Sequence, residues 1–127
     1  MNDITIMIPE RGGAVPELWE ALGTAAVSVE AALSFSREHH RVVHVVVTDD
    51  ATESAHQALE SAGFLVVDLR EVLLVELANH PGGLAEVTRI AYESEAGVYL
   101  LSMGTNNRVM LGVANLEAAR QAFGMAG

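Results

Sequence analysis

The sequence predicts an α+β chain of two tandem βαββαβ units, the second lacking its last strand. Three observations predict this. A short alternating apolar run, a glycine-rich turn and an amphipathic segment follow one another twice along the chain. Gly13 and Gly82 stand 69 residues apart, as do Glu17 and Glu86, and the same offset lays Ile4, Ile6 and Ile8 on Leu73, Val75 and Leu77, and Val29 on Val98. A repeat of about 70 residues does not fit twice into 127, so the equivalent of Phe64–Leu69 would begin past Gly127. The expected units are residues 1–70 and 71–127. Units of this order form a ferredoxin-like sheet with both helices on one face.

Each element has its own reason. Ile4, Ile6 and Ile8 alternate with Thr5 and Met7 in a strand closed by Pro9. Glu10-Arg11-Gly12-Gly13 is a turn, and Val15 to Thr24 a helix with Pro16 in its first turn and Leu18, Trp19 and Leu22 as its apolar stripe. Val27, Val29 and Ala31 alternate as a second strand. Val42 to Val47, β-branched except for His44, reads as a largely buried third. Thr52 to Ser61 is a helix with Ala55, Ala58, Leu59 and Ala62 at helical spacing, stopped by Gly63. Phe64 to Leu69 and Val72 to Leu77 are strands. Asn79-His80-Pro81-Gly82-Gly83 is a second glycine-rich turn, and Leu84 to Glu93 a helix with Leu84, Val87, Ile90 and Ala91 on one face. Val98–Leu101 and Val109–Val113 are strands about a turn at Gly104–Asn107, and Asn115 caps a helix over Leu116–Phe123. With a connection two residues shorter, Arg41-Val42-Val43 falls on Arg108-Val109-Met110.

Composition narrows the chemistry. Half the residues are apolar and the mean hydropathy is +0.29, enough to fill a core. The seven basic residues are all arginines, and against 17 acidic ones they leave a net charge of -10. Such a surface repels phosphate backbones, so no nucleic-acid partner is expected. Without cysteine or lysine there is no thiolate nucleophile, zinc-finger spacing, P-loop lysine or Schiff base. No apolar run reaches the length of a membrane span, and the N-terminus has no basic leader, so a cytoplasmic protein with no membrane partner is expected.

The segment VLLVELANHPGGLAEVTRIAYESEAGVYLLS resembles the start of an ACT domain, the amino-acid-binding regulatory module, through Asn79, His80, Pro81, Gly82, Gly83, Leu84 and Gly97. VVVTDDATESAHQALESAGFLV resembles the later part of the same module. The first copy departs from the pattern, with Arg11 where the motif has proline and Ser28 where the second copy has Gly97. As two copies the resemblance covers almost the whole chain, which is similar to the small tandem ACT proteins that carry no enzyme. It implies a non-enzymatic, allosteric regulator acting as a homodimer, with a metabolic enzyme as a further partner. It also implies an amino-acid site at the interface between units, against the loop after each unit's first strand.

The ligand-binding candidates are therefore Asn79, His80, Pro81, Gly82, Gly83 and Leu84, with Glu10, Arg11, Gly12, Gly13 and Ala14. Each loop leads into a helix N-terminus, whose unpaired N–H groups and positive dipole end suit a carboxylate. Glu10, Asn79 or a strand carbonyl could accept from an ammonium group. The plainer alternative is that the glycines only solve a tight strand-to-helix turn. His39, His40, His44 and His56 are read as solvated or hydrogen-bonded rather than metal-binding, because residues 40 and 44 lie far apart along a strand. Asp49, Asp50 and Glu53 are read as helix caps. No catalytic residue, metal or cofactor is assigned. The rivals to a sensor are an adaptor that binds no ligand and a small ferredoxin-like enzyme.

Overall fold

The computed structural model describes residues 1–9 and 11–125. The chain divides into two compact units, Met1–Glu71 and Val72–Gly127. Unit 1 runs β1 (Asn2–Pro9), α1 (Ala14–Thr24), β2 (Ala31–Arg37), β3 (His40–Val47), a 3-10 turn (Asp49–Ala51), α2 (Thr52–Ser61) and β4 (Leu65–Glu71). Its antiparallel sheet has the order β2-β3-β1-β4, the ferredoxin-like arrangement. Unit 2 runs β5 (Leu73–Glu76), α3 (Gly83–Glu93), β6 (Val98–Met103), β7 (Arg108–Val113) and α4 (Leu116–Ala122), with sheet order β5-β7-β6. Among the described residues it has three strands, as expected.

Each unit encloses its own core, because strand residues of one parity and one stripe of each helix turn inward. Ile4, Ile6 and Ile8 meet Val43, Val45 and Val47 beneath Leu18, Leu22 and Leu59 in unit 1. Leu73, Val109, Leu111 and Val113 meet Val87, Ala91 and Ala119 in unit 2. These lists align Val43 with Val109, an offset of 66, so the expected match of Arg41 to Arg108 is wrong by one residue. Register confirms the correction: Ile6 pairs Val43, and its equivalent Val75 pairs Val109. A one-residue slip would have turned the buried valines outward. The missing residues come from the hairpin, which turns at Glu38 and His39 in unit 1 and is three residues shorter in unit 2.

The second strand also differs from expectation. Val27 and Val29 face the core but belong to no strand: Ala26 takes φ 58, and the Val27 N–H closes the end of α1 on the Leu22 carbonyl. β2 starts at Ala31 and runs through Phe35 to Arg37, where pairing with the β-branched β3 outweighs its own weak preference. On α3, Val87 and Ala91 are buried, but Leu84 and Ile90 of the expected stripe are exposed.

Both second helices end alike. Gly63 and Gly124 take positive φ, and the Phe64 and Met125 N–H groups reach back to Leu59 and Arg120. Met125 is thus the equivalent of Phe64, so the counterpart of Phe64 lies at Met125 rather than past Gly127. Asn115 caps α4 as expected, accepting from the Ala118 N–H at 3.1 Å. Asn115→Ala is expected to cost about 1 kcal/mol of unit 2 stability, read by chemical denaturation.

Candidate functional site

Both glycine-rich turns reach their helices by the same device. Gly13 (φ 87) and Gly82 (φ 91) are left-handed N-caps, a conformation that glycine adopts without steric cost. The Glu17 N–H then bonds the Gly13 carbonyl and the Glu86 N–H the Gly82 carbonyl, each at 3.0 Å. The two turns are therefore alike in backbone torsion.

The two helix starts differ in what they offer an anion. In α1 the Ala14 N–H already bonds the Arg11 carbonyl at 3.4 Å and Pro16 has no N–H, so Val15 supplies the one remaining first-turn donor. In α3 the Gly83 N–H bonds the His80 carbonyl at 3.1 Å, and Leu84 and Ala85 both carry first-turn N–H groups beyond the reach of the helix's own carbonyls. The space also differs. A Cβ at Gly13 would meet Glu17 Oε1 at 3.6 Å, whereas one at Gly82 would meet nothing within 4 Å. Glu17 thus folds a carboxylate back over its own loop. The Arg11 guanidinium donates to Glu17 Oε2 at 2.9 Å, and this hydrogen bond, then its charge, holds the Glu17 carboxyl below its ordinary range. The pair is exposed, and so contributes little to stability.

Gly83 has a different job from its neighbour. Its Cβ would lie 2.2 Å from the Ala78 carbonyl oxygen, so the turn itself excludes a side chain there. The tight turn alone thus requires glycine at Gly83, whose equivalent in the first repeat is Ala14. His80 and Leu84 are exposed at the mouth, with His80 Nδ1 donating to the Pro81 carbonyl at 2.8 Å. Asn79, Pro81 and Gly12 also lie at the surface, and Glu10 lies outside the described residues.

Other candidates resolve differently. His44 Nδ1 stands 2.8 Å from Asp3 Oδ2 and 3.2 Å from Thr5 Oγ1, and His56 pairs with Glu60 at 3.0 Å. The expected capping by Asp49 and Asp50 is corrected: neither the 3-10 turn nor α2 has a side-chain cap. Asp49 Oδ1 accepts instead from Asn2 at 3.2 Å, and Asp50 Oδ1 from Thr48 Oγ1 at 2.5 Å. Sequence reasoning missed Asn107. It exchanges bonds with Leu77 at 2.9 Å through both side chain and carbonyl, anchoring the strand end from which the second loop departs. The adjacent Asn106 and Asn107, both at φ 57, were the available signal.

No family model matches the chain, and no curated protein matches it. Solved structures do. A Bacteroides thetaiotaomicron protein is similar over 95% of this chain and 84% of its own, with a TM-score of 0.81 at 19% identity. The regulatory subunit of aspartate kinase from Thermus thermophilus, in its ligand-free form, is similar over 96% of this chain and 91% of its own (TM-score 0.71, 21% identity). The corresponding subunit from Thermus flavus covers 96% and 92% (TM-score 0.67, 20% identity). At such identities the likeness establishes the architecture alone: among the described residues, two small antiparallel sheets and four helices in a mixed α+β fold.

Proposed function

We propose that the chain is a non-enzymatic regulatory protein that binds an amino acid at the N-terminus of α3. The observation that carries this reading is the open left-handed Gly82 with two first-turn donors, Leu84 and Ala85, above it. The ligand carboxylate would accept from these N–H groups in the field of the helix dipole, with the Asn79 side-chain oxygen available to its ammonium group. The fold shared with regulatory subunits of aspartate kinase supports a regulatory role and a metabolic enzyme as partner. Such a ligand acts by preferring one state of the protein, and only by the margin of that preference.

A thermal-shift screen of the twenty amino acids tests this. One or two are expected to raise the melting temperature saturably. No shift with any amino acid would favour the adaptor, and consumption of one would favour an enzyme. The reading further includes a homodimer in the cytoplasm. The outer edge of β5 is unpaired among the described residues, and α3 exposes Leu84, Ile90 and Tyr92. Light scattering is expected to give twice the chain mass at tens of micromolar, the order at which specific contacts persist; a monomer there contradicts the dimer.

A further inference from the structure

We propose that unit 2 takes a strand from a partner protein: the place beside β5 that β4 fills in unit 1 receives an extended, basic segment with apolar residues at alternate positions. The inference deepens the regulatory reading, on which the partner's being an enzyme rests, and makes no use of the amino-acid site.

The repeat defines the vacancy. In unit 1, β4 runs antiparallel to β1, with Leu69 opposite Ile4, Val66 opposite Ile6 and Leu65 opposite Met7. Ile4 and Ile6 are fully buried, and Val66 packs against the same core. In unit 2 no described residue pairs with the outer edge of β5. Val75, the equivalent of Ile6, is only partly buried, and Ile90 of α3 is exposed. A groove of about 440 Å³ lies here, with Val75, Val87, Ile90, Phe123 and Met125 along it. A strand laid in it covers these side chains with its inward residues. Its backbone pairs with the alternate N–H and C=O groups that β5 turns outward. By sequence the counterparts of Leu65 and Val66 are Ala126 and Gly127, which lie outside the described residues and have neither the bulk of that pair nor a charged side chain.

Charge selects the occupant. Glu76 stands where unit 1 has Met7, and Glu86 where it has Glu17. Arg11 holds Glu17 at 2.9 Å, but the offset of 69 residues puts His80 in the place of Arg11, and His80 is 3.9 Å from Glu86. Among the described residues Glu76 has no ion-pair partner, and the groove has no basic side chain. An added strand sets one residue opposite Glu76, as Leu65 is set opposite Met7, and arginine or lysine suits that place. The β5 of a second copy would bring Glu71 and Glu76 there instead, in a chain of net charge -10. A homodimer is then left to the exposed side of α3 with Leu84 and Tyr92.

The test titrates the full chain, with no amino acid present, with the acetylated and amidated peptide Arg-Lys-Val-Thr-Leu-Arg, followed by amide NMR and hydrogen exchange. Saturable shifts are expected at Leu74, Val75, Glu76 and Ile90, and β5 amides that exchange freely in the unbound chain should become protected. Two control peptides should each bind at least about tenfold more weakly: one with glutamate at the basic positions, which reverses the charge, and one N-methylated at valine and threonine, which cannot pair. Glu76→Arg should weaken the basic peptide by about tenfold or more. Glu20→Arg, the same change of charge at an exposed position of unit 1, should leave its affinity within about twofold. Both variants are expected to keep the amide spectrum of a folded protein. A thermal-shift screen silent for every amino acid would leave all these expectations intact, so the two readings fail separately. The proposal is overturned by no binding up to about 1 mM, by equal binding of either control peptide, by wild-type affinity in folded Glu76→Arg, or by protection of every β5 amide in the unbound chain.

Discussion

Gly83→Val is expected to unfold unit 2 without unfolding unit 1. A Cβ at this position sits 2.2 Å from the Ala78 carbonyl oxygen, backbone against backbone, and no rotamer relieves it. Relief requires moving the start of α3, which the Gly83-to-His80 bond and the Asn107 anchor at Leu77 both hold. The cost should reach about 3 kcal/mol, the upper end for overpacking, in a unit with a small core. Hydrogen exchange should show β5, β7 and α3 amides losing protection while β1 and β3 keep theirs. Gly12→Ala is the control: its Cβ meets nothing within 4 Å, so exchange should be unchanged throughout. A folded, fully protected Gly83→Val protein would refute the packing described for the second turn.

Leu111→Ala should have a comparable effect through the opposite fault, a cavity. Leu111 is fully buried at the centre of the unit 2 sheet, opposite Leu73 on β5 and Leu101 on β6. Truncation removes dispersion contacts on both sides, and a strand held by two neighbours has little freedom to collapse inward. A loss of about 2–5 kcal/mol is expected, against total stabilities of about 5–15 kcal/mol for ordinary domains. Trp19 lies in unit 1 and does not report on unit 2; site-resolved exchange at Val109 and Met110 reads the effect directly. Protection within about 0.5 kcal/mol of wild type would contradict the core assignment.

The elements that were legible share one property: their signal is local and strongly periodic. β1, β3 and all four helices follow from alternation, helical stripes and punctuating residues such as Pro9, Gly63 and Asn115. β2 was misplaced because Val27 and Val29 alternate as plainly as Leu33 and Phe35 do with Ser34 and Ser36, and pairing with β3 selects residues 31–37. The Arg41–Arg108 match failed because two arginines before valine runs look alike in a sequence, while their registers differ by one residue. In the site, the equivalence of Gly13 and Gly82 was legible, being a matter of spacing. The distinct tasks of Gly82 and Gly83 were not, since only the position of the Ala78 carbonyl separates a glycine needed for its torsion from one needed for its missing Cβ.

The repeat also furnishes the most direct test of the amino-acid site. Ala85 occupies the position of Pro16, and α1 shows that a proline is accommodated there in a first helical turn. Ala85→Pro therefore removes one carboxylate donor from α3 while keeping the helix. Calorimetric titration of wild type and variant with whichever amino acid gives the largest thermal shift is decisive. The account predicts a melting temperature within a few degrees of wild type and an affinity weakened about tenfold or more, the loss of one hydrogen bond to a charged group. Undiminished affinity in the folded variant would place the ligand elsewhere and contradict the account.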